Sequence, residues 1–337
     1  ADALVDALES LRERFKSFPP TPPTSSTPSS FAFADAACAR LGTGDRARNA
    51  CAAANARAAL SSTLSVDMRG VECGTPNQLS PQRTARMMRL HVVRASRVDV
   101  ARCLRLEEGL LRHRADANWL VCADGASRTS IVMGVSARDG GASLVHVDAA
   151  RARGVDLIRR FTGGGTVVVD RDTMFVSVCV ASACVGLDPK ATYPRDAMRA
   201  TGDVYARVFD RCGTFAVREN DYVFDGAFKF GGNAQAITKG RFLHHTSFLY
   251  DYDEASMALL KQPARAPEYR SGRAHGDFVT TLSERGYRRE DVFDRLCEVM
   301  RERGFETIDV GFEDAERAVD DAVRAAGTTR WHTTTVL

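Results

Sequence analysis

With 337 residues the chain can hold one large or two modest domains, and its 44% hydrophobic and 26% charged residues predict a soluble, globular protein. Its 46 Lys and Arg against 43 Asp and Glu leave a net charge of +3, which gives no case for nucleic acid, and no apolar run reaches the length of about 18 residues that a membrane span needs. Nine Cys, an odd number without a CxxC pair, argue against a disulfide framework and predict reduced thiols in an intracellular or organelle compartment.

Seven of the 11 Pro fall before residue 88, among them the run FPPTPPTSSTPSS from Phe18 to Ser30, and an Ala-rich stretch with little periodicity follows from Phe31 to Leu64. Such a segment buries too little apolar surface to offset its chain entropy, so residues 1–87 are predicted to be a disordered extension that is dispensable for chemistry. Between Arg14 and Leu60 the only acids are Asp35 and Asp45, a composition like an organelle transit peptide, although Asp2, Asp6, Glu9 and Glu13 break the pattern.

Periodicity begins at Arg89. A strand is predicted at Leu90–Val93, then a helix over Val100–His113 with Cys103, Leu106, Leu110 and Leu111 on one face and Asp99 as its N-cap. Strands are predicted at Ile131–Val135, Leu157–Ile158, Val167–Val169 and Met174–Val180. Pro194 opens a helix expected to run to about Cys212, and strands return at Thr214–Val217, Tyr222–Phe224 and Phe242–Tyr250. Helices over Arg289–Arg303 and Glu313–Ala326 flank a strand at Phe305–Val310. Strands in clusters and helices in blocks predict an α+β fold, with mixed, largely antiparallel sheets packed against helices. The expected organisation is a catalytic domain over 88–282 and a helical C-terminal tail over 283–337 packing on it.

Two motifs carry chemistry. In RRFTGGGTVVVD, Arg159–Asp170, three glycines lie between strand-like runs, which excludes a dinucleotide fingerprint or a P-loop, since both need a helix after the glycines. Residues without a Cβ can bring backbone N–H groups against a carboxylate or phosphate, with Arg159 and Arg160 supplying charge. A glycine hairpin beside a solvated Arg pair is the competing reading. In RENDYVFDGAFKFGGNAQ, Arg218–Gln235, Lys229 is one of only 5 Lys in a chain with 41 Arg. An ammonium is a compact point charge and a guanidinium a broad fork, so this lysine reads as selected, against the alternative of a solvated lysine beside a turn. Asn220 and Asp221 stand next to a strand, Lys229 follows across a turn at Asp225 and Gly226, and Gly231 and Gly232 allow another close backbone approach before Asn233 and Gln235. A cation, a carboxylate and two glycine-lined loops suit the holding of an acyl phosphate anhydride for attack by an amine, although Asn220–Asp221 alone would also read as an Asx turn. Cys179 and Cys184 are expected in a core strand as small buried hydrophobes.

RRFTGGG, REND, the GAFKFGGNAQ loop and RFLHHTSFLYD (Arg241–Asp251), in this order, resemble the catalytic domain of the lipoate-protein ligase family, related to biotin ligases and octanoyltransferases. The likeness spans about Arg89–Leu282, includes PARAPEYRSGRAHGDFV at Pro263–Val279, and is nearest in wording to plant and algal members. It implies a biotin/lipoate ligase type of fold and a two-step reaction in which ATP, with Mg2+, converts lipoate or octanoate to an acyl adenylate that is passed to a lysine of a lipoyl domain. It further implies that Lys229 contacts the acyl carbonyl and α-phosphate, and that Asp221 orients the acceptor amine or takes its proton, or else holds Mg2+ or the adenosine. The substrate and adenylate set carried over comprises Arg160, Thr162, Gly163, Gly164, Gly165, Asn220, Gly231, Gly232, Asn233, Ala234, His245 and Thr246.

Successive strand residues face opposite ways, so at most one of His244 and His245 looks into the site, and the pair predicts no zinc centre. Departures from the family wording lie at Met133–Ala137, where Arg and Gln are often found, and at Thr246–Phe248, where GTL is often found. The partners implied are the lipoyl domains of 2-oxoacid dehydrogenase acyltransferase subunits and the glycine-cleavage carrier protein, for a monomer in the mitochondrion, with plastid or cytoplasm as alternatives. Two other readings stay open. One is a transferase taking a pre-activated acyl group from acyl carrier protein or acyl-AMP, for which no Cys lies between Cys212 and Cys297 to form a thioester; the other is a non-catalytic lipoyl-domain binder.

Overall fold

The computed structural model describes residues 88–137, 139–261, 266–328 and 332–337. The proline-rich extension, with its possible targeting leader, and Pro263–Arg265 of the PARAPEYR segment lie outside the described residues.

In chain order the elements are β1 (Met88–Val98), α1 (Val100–His113), β2 (Asn118–Ala126), β3 (Ser130–Met133), α2 (Val147–Ala152), β4 (Asp156–Arg159), β5 (Val167–Val169), β6 (Thr173–Ala181) and α3 (Pro194–Val208). They continue with β7 (Phe215–Arg218), β8 (Asp221–Phe224), β9 (Phe228–Thr238), β10 (Arg241–Leu249), α4 (Glu254–Met257), α5 (His275–Phe278), α6 (Arg289–Glu302), β11 (Phe305–Val310), α7 (Phe312–Ala325) and β12 (Thr335–Val336). The architecture is α+β. An 8-stranded sheet runs β11-β1-β2-β6-β10-β9-β8-β7, parallel only along β11-β1-β2 and antiparallel beyond, and a 4-stranded sheet runs β12-β4-β3-β5.

Strand alternation divides the core in two. Val92, Leu120, Cys122 and Val178 join α3 and α6 on one face of the large sheet, while Val93, Trp119, Val121 and Cys179 join α1 and α7 on the other. Strand β2 is therefore buried on both sides and shows no polar alternation, which is why its sequence carries no amphipathic strand signal. The α3 face closes around an aromatic group in which Phe209 meets Phe230 at 5.0 Å and Phe248 at 5.1 Å. Edge-to-face packing of this kind adds about 0.5–1.5 kcal/mol per pair beyond the area buried.

Asp99 caps α1 as expected, accepting from the Arg102 backbone N–H at 2.7 Å. The helix opened by Pro194 stops at Val208, short of Cys212, and Phe209 closes it through its N–H to the Tyr205 carbonyl. Most of GAFKFGGNAQ is not a loop: after the turn residues Gly226 and Ala227, its residues from Phe228 to Gln235 form the first part of the 11-residue strand β9. Its glycines weaken the local strand signal, and hydrogen bonding to β8 and β10 on its two sides supplies what propensity does not. Cys179 lies in core strand β6, whereas Cys184 falls after it, half-buried in a 3-10 turn at Ser182–Val185. After Leu282 the chain contributes strands as well as helices, since β11 pairs with β1 and β12 with β4. That last strand is pinned by the fully buried Glu108, whose carboxylate accepts from the N–H groups and hydroxyls of Thr333 and Thr334.

Candidate active site

The β8–β9 hairpin turns at Asp225 and Gly226, both with positive φ (54° and 65°), the combination for which an Asp-Gly pair is suited. Further along, the register shifts: Tyr222 faces Gly231 and Val223 faces Lys229, so Phe230 is an extra residue. The bulge places Lys229 and Gly232, three residues apart, on one face. A Cβ on Gly232 would lie 3.9 Å from the Lys229 Nζ, whereas one on Gly231 would lie 2.8 Å from the Phe248 ring in the core. Neither glycine has positive φ; Gly231 makes room for an aromatic ring and Gly232 for the lysine.

Lys229 Nζ sits 2.7 Å from Asp221 Oδ1, and the Tyr269 hydroxyl donates to Oδ2 at 2.8 Å. Burial, then the Asp221 charge, push the Tyr269 hydroxyl up, so it stays a donor. Each oxygen of Asp221 thus has one partner, and the carboxylate stands as the counter-ion of the lysine. Among the described residues no group of 3 or more His, Cys, Asp or Glu is arranged to hold a metal ion.

Of the three consecutive glycines only Gly164 adopts positive φ, at 95°. Arg160, only 4% exposed, grips the loop from below. Its Nη2 donates to the carbonyls of Gly163 (2.6 Å) and Gly165 (2.9 Å), and its Nε donates to Thr162 Oγ1 (2.8 Å). Burial pulls this guanidinium down to about 10. Arg160 therefore shapes the loop, and it also borders the first of two chambers at the site. The N–H groups of Gly163, Gly164 and Gly165 donate to no backbone carbonyl among the described residues, which leaves them available to an anion.

His245 links this loop to α1. Its Nε2 lies 2.9 Å from Thr162 Oγ1 and its Nδ1 2.8 Å from Glu107 Oε2, while Glu107 Oε1 accepts from Ser177 Oγ at 2.6 Å. His244 points the opposite way, fully buried and 2.8 Å from the Tyr222 hydroxyl; burial, then the neighbouring His245, push it down to about 3. The Thr246 hydroxyl is likewise turned to the core, 3.2 Å from that of Tyr205. At the rim, Asn233 Nδ2 donates to the Asn220 carbonyl at 2.7 Å, tying β9 to the turn before β8.

Two chambers meet here. The first, about 830 Å³, has an apolar end formed by Val98, Val100, Leu104, Val132, Val169 and Phe175. The second, about 1110 Å³, is bordered by Leu249, Tyr252, Met257, Leu260, Arg270 and His275. Gly164, Gly165, Thr166, Lys229, Gly232 and Ser247 border both. Of the residues singled out in the sequence, Arg160, Gly163, Asn220, Asp221, Asn233, Ala234, His245 and Thr246 border the first chamber, Gly231 borders only the second, and Thr162 lies behind the wall.

Sequence reasoning missed Glu107 and Gly134. Glu107 is one of two adjacent acids on a helix, ordinarily a solvated pair, and its burial shows only in three dimensions. Gly134 directly follows β3, where a Cβ would lie 2.4 Å from the Gly164 carbonyl oxygen.

The family described as lipoyl protein ligase A/B catalytic domain matches residues 99–301. Among curated relatives, inactive lipoate–protein ligase 2 of Plasmodium falciparum is 28% identical over 160 residues, covering 38% of this chain and 41% of its own length. A protein of Aeropyrum pernix named for lipoate-protein ligase A is 30% identical over 159 residues, covering 47% and 56%. The chain thus spans about half the length of these relatives. A Thermoplasma acidophilum protein solved with bound lipoic acid aligns over 73% of this chain and 99% of its own, with 18% identity and a TM-score of 0.57. Lipoate-protein ligase A solved with ATP aligns over 73% and 98%, with 20% identity and a TM-score of 0.55, so both share the fold. The matched family accounts for more than half of the sequence and, Val98 apart, holds the residues that line both chambers: the chain belongs to the lipoyl protein ligase A/B catalytic-domain family.

Proposed function

We propose that the protein joins lipoate, or octanoate, to a lysine of a lipoyl domain in two steps, through an acyl adenylate made from ATP. The observation that carries this reading is the place of Lys229, an ammonium paired with Asp221 that borders both chambers together with the glycine loop. The apolar end of the first chamber suits a medium-length acyl chain, and its volume is in the range of small-ligand sites. The acid's carboxylate then reaches the boundary, and the nucleotide takes the second chamber.

A free carboxylate is a poor electrophile. In the first step its oxygen attacks the α-phosphorus and pyrophosphate departs; in the second the acceptor amine attacks the acyl carbon, AMP departs and a proton is lost. Lys229 and the glycine amides offset the negative charge that gathers at the junction in both steps. Family membership, and family folds solved with lipoic acid and with ATP, support the assignment. Mg2+ commonly binds through one or two carboxylates together with substrate phosphates, and Asp139 and Glu254 on the wall of the second chamber are the carboxylates that would meet it. The acceptors in this reading are the lipoyl domains of 2-oxoacid dehydrogenases or the glycine-cleavage carrier.

A thioester relay, as a transferase would use, needs a thiolate. Cys103 borders the first chamber, but burial, followed by the charge of Glu107, raises its thiol well above the ordinary range. The test is the mass shift of an apo lipoyl domain incubated with the protein, ATP and lipoate: modification without an acyl carrier supports the ligase, and modification only with acyl carrier protein replaces it with the transferase. No modification under either condition, the behaviour of the inactive relative's name, would leave a binding protein.

A further inference from the structure

The second chamber contains a buried cation that the reaction at Lys229 does not employ. Arg270 is 9% exposed, its Nε donates to the Arg273 carbonyl at 3.0 Å, and its guanidinium lies 5.3 Å from the centre of the Phe278 ring. No Asp or Glu among the described residues comes within ion-pair distance of it, in a protein whose other arginines form many such pairs. A buried charge without a counter-ion is costly, and a planar fork with free donors matches phosphate oxygens.

A second group stands beside it. His275 Nε2 is buried and has no hydrogen-bond partner among the described residues, and its ring packs edge-on to Tyr252 with centroids 6.0 Å apart. Burial, and then the positive charges of Arg270 and Lys229, hold its pKa below the usual range. The backbone fixes that arrangement: Val279, just after α5, forms a bridge with Lys229, and the Thr280 N–H donates to the Lys229 carbonyl at 2.9 Å. Lys229 borders both chambers, whereas Arg270 and His275 border the second alone.

We infer that Arg270 and His275, with Lys229, form a subsite for the terminal phosphates of a nucleoside triphosphate and for the pyrophosphate released from it. This rests on the proposed adenylation. As the acyl oxygen–α-phosphorus bond forms and the bond from α-phosphorus to the bridging oxygen breaks, that oxygen keeps the electron pair, and the departing pyrophosphate, which carries the charge released, is received by the guanidinium and imidazole.

Calorimetric titration of the full chain with inorganic pyrophosphate tests the subsite without requiring turnover. Wild-type protein should bind it, Arg270→Gln should weaken binding about 10²-fold, His275→Gln about 10-fold, and Arg270→Lys should fall between wild type and Arg270→Gln. Circular dichroism verifies that each variant is folded, and His275→Gln carries the test should Arg270→Gln not be. Absence of wild-type binding, or wild-type affinity in both Gln variants, overturns the subsite, even if the protein proves to be an active ligase. Pyrophosphate affinity that depends on Arg270 and His275 in a protein without ligase activity sustains the subsite and sinks only the adenylation reading.

Discussion

Glu107 on α1 and His245 on β10 are joined at 2.8 Å, and through Thr162 this pair reaches the arginine that clamps the glycine loop. A helix on one side of the first chamber and a loop at its mouth are therefore held by one continuous polar chain. Removing the carboxylate would leave His245 and Ser177 without their shared partner in a buried setting. Glu107→Leu is expected to cost about 2–4 kcal/mol in denaturant unfolding, and Glu107→Gln, which keeps a hydrogen-bonding head, about 1 kcal/mol. Equal stability of Glu107→Leu and wild type would mean that the chain of contacts does not hold the site.

The glycines separate by what surrounds them. A methyl at Gly134 would meet the Gly164 carbonyl oxygen at 2.4 Å, a backbone atom that cannot swing aside, while one at Gly163 or Gly165 meets nothing within 4 Å. Thermal unfolding should show Gly134→Ala destabilised by about 2 kcal/mol or more, with Gly163→Ala and Gly165→Ala within about 0.5 kcal/mol of wild type. The reverse order would contradict the described loop.

His244 gives a pH dependence with a defined sign. Its folded pKa is lowered to about 3 from an ordinary 6.5, so between these values the unfolded chain binds the extra proton. The stability it contributes is complete above about pH 6.5 and is lost progressively as pH falls toward 3. At about 1.4 kcal/mol per unit, this residue alone should cost about 2 kcal/mol between pH 7 and 5. Urea unfolding of wild type and His244→Gln at the two pH values isolates the contribution, and an identical loss in both would contradict it.

Much of this was legible in the chain. The strand, glycine turn and strand around Gly163–Gly165, the Asp-Gly hairpin turn and the cap at Asp99 all follow from local chemistry that the structure repeats. Strand β9 reads as a loop in the sequence because its two glycines, which lie at a bulge and serve packing, weaken the strand signal. Residues whose role depends on distant partners stayed hidden. Glu107 needs Ser177 and His245 beside it to be more than a surface acid, and the grip of Arg160 on the Gly163 and Gly165 carbonyls shows only once the loop is folded over it. No spacing in one sequence announces such contacts.

The central claim is that the ammonium of Lys229, held beside Asp221, neutralises charge at an acyl adenylate. Isotope exchange between ATP and pyrophosphate, measured with and without free lipoate or octanoate, reads that step alone. The account predicts exchange that requires the acid and falls about 10²- to 10³-fold in Lys229→Arg, whose broad fork does not fit a point-charge slot. Acid-dependent exchange at the wild-type rate in Lys229→Arg, or no exchange in the wild-type protein, would contradict it.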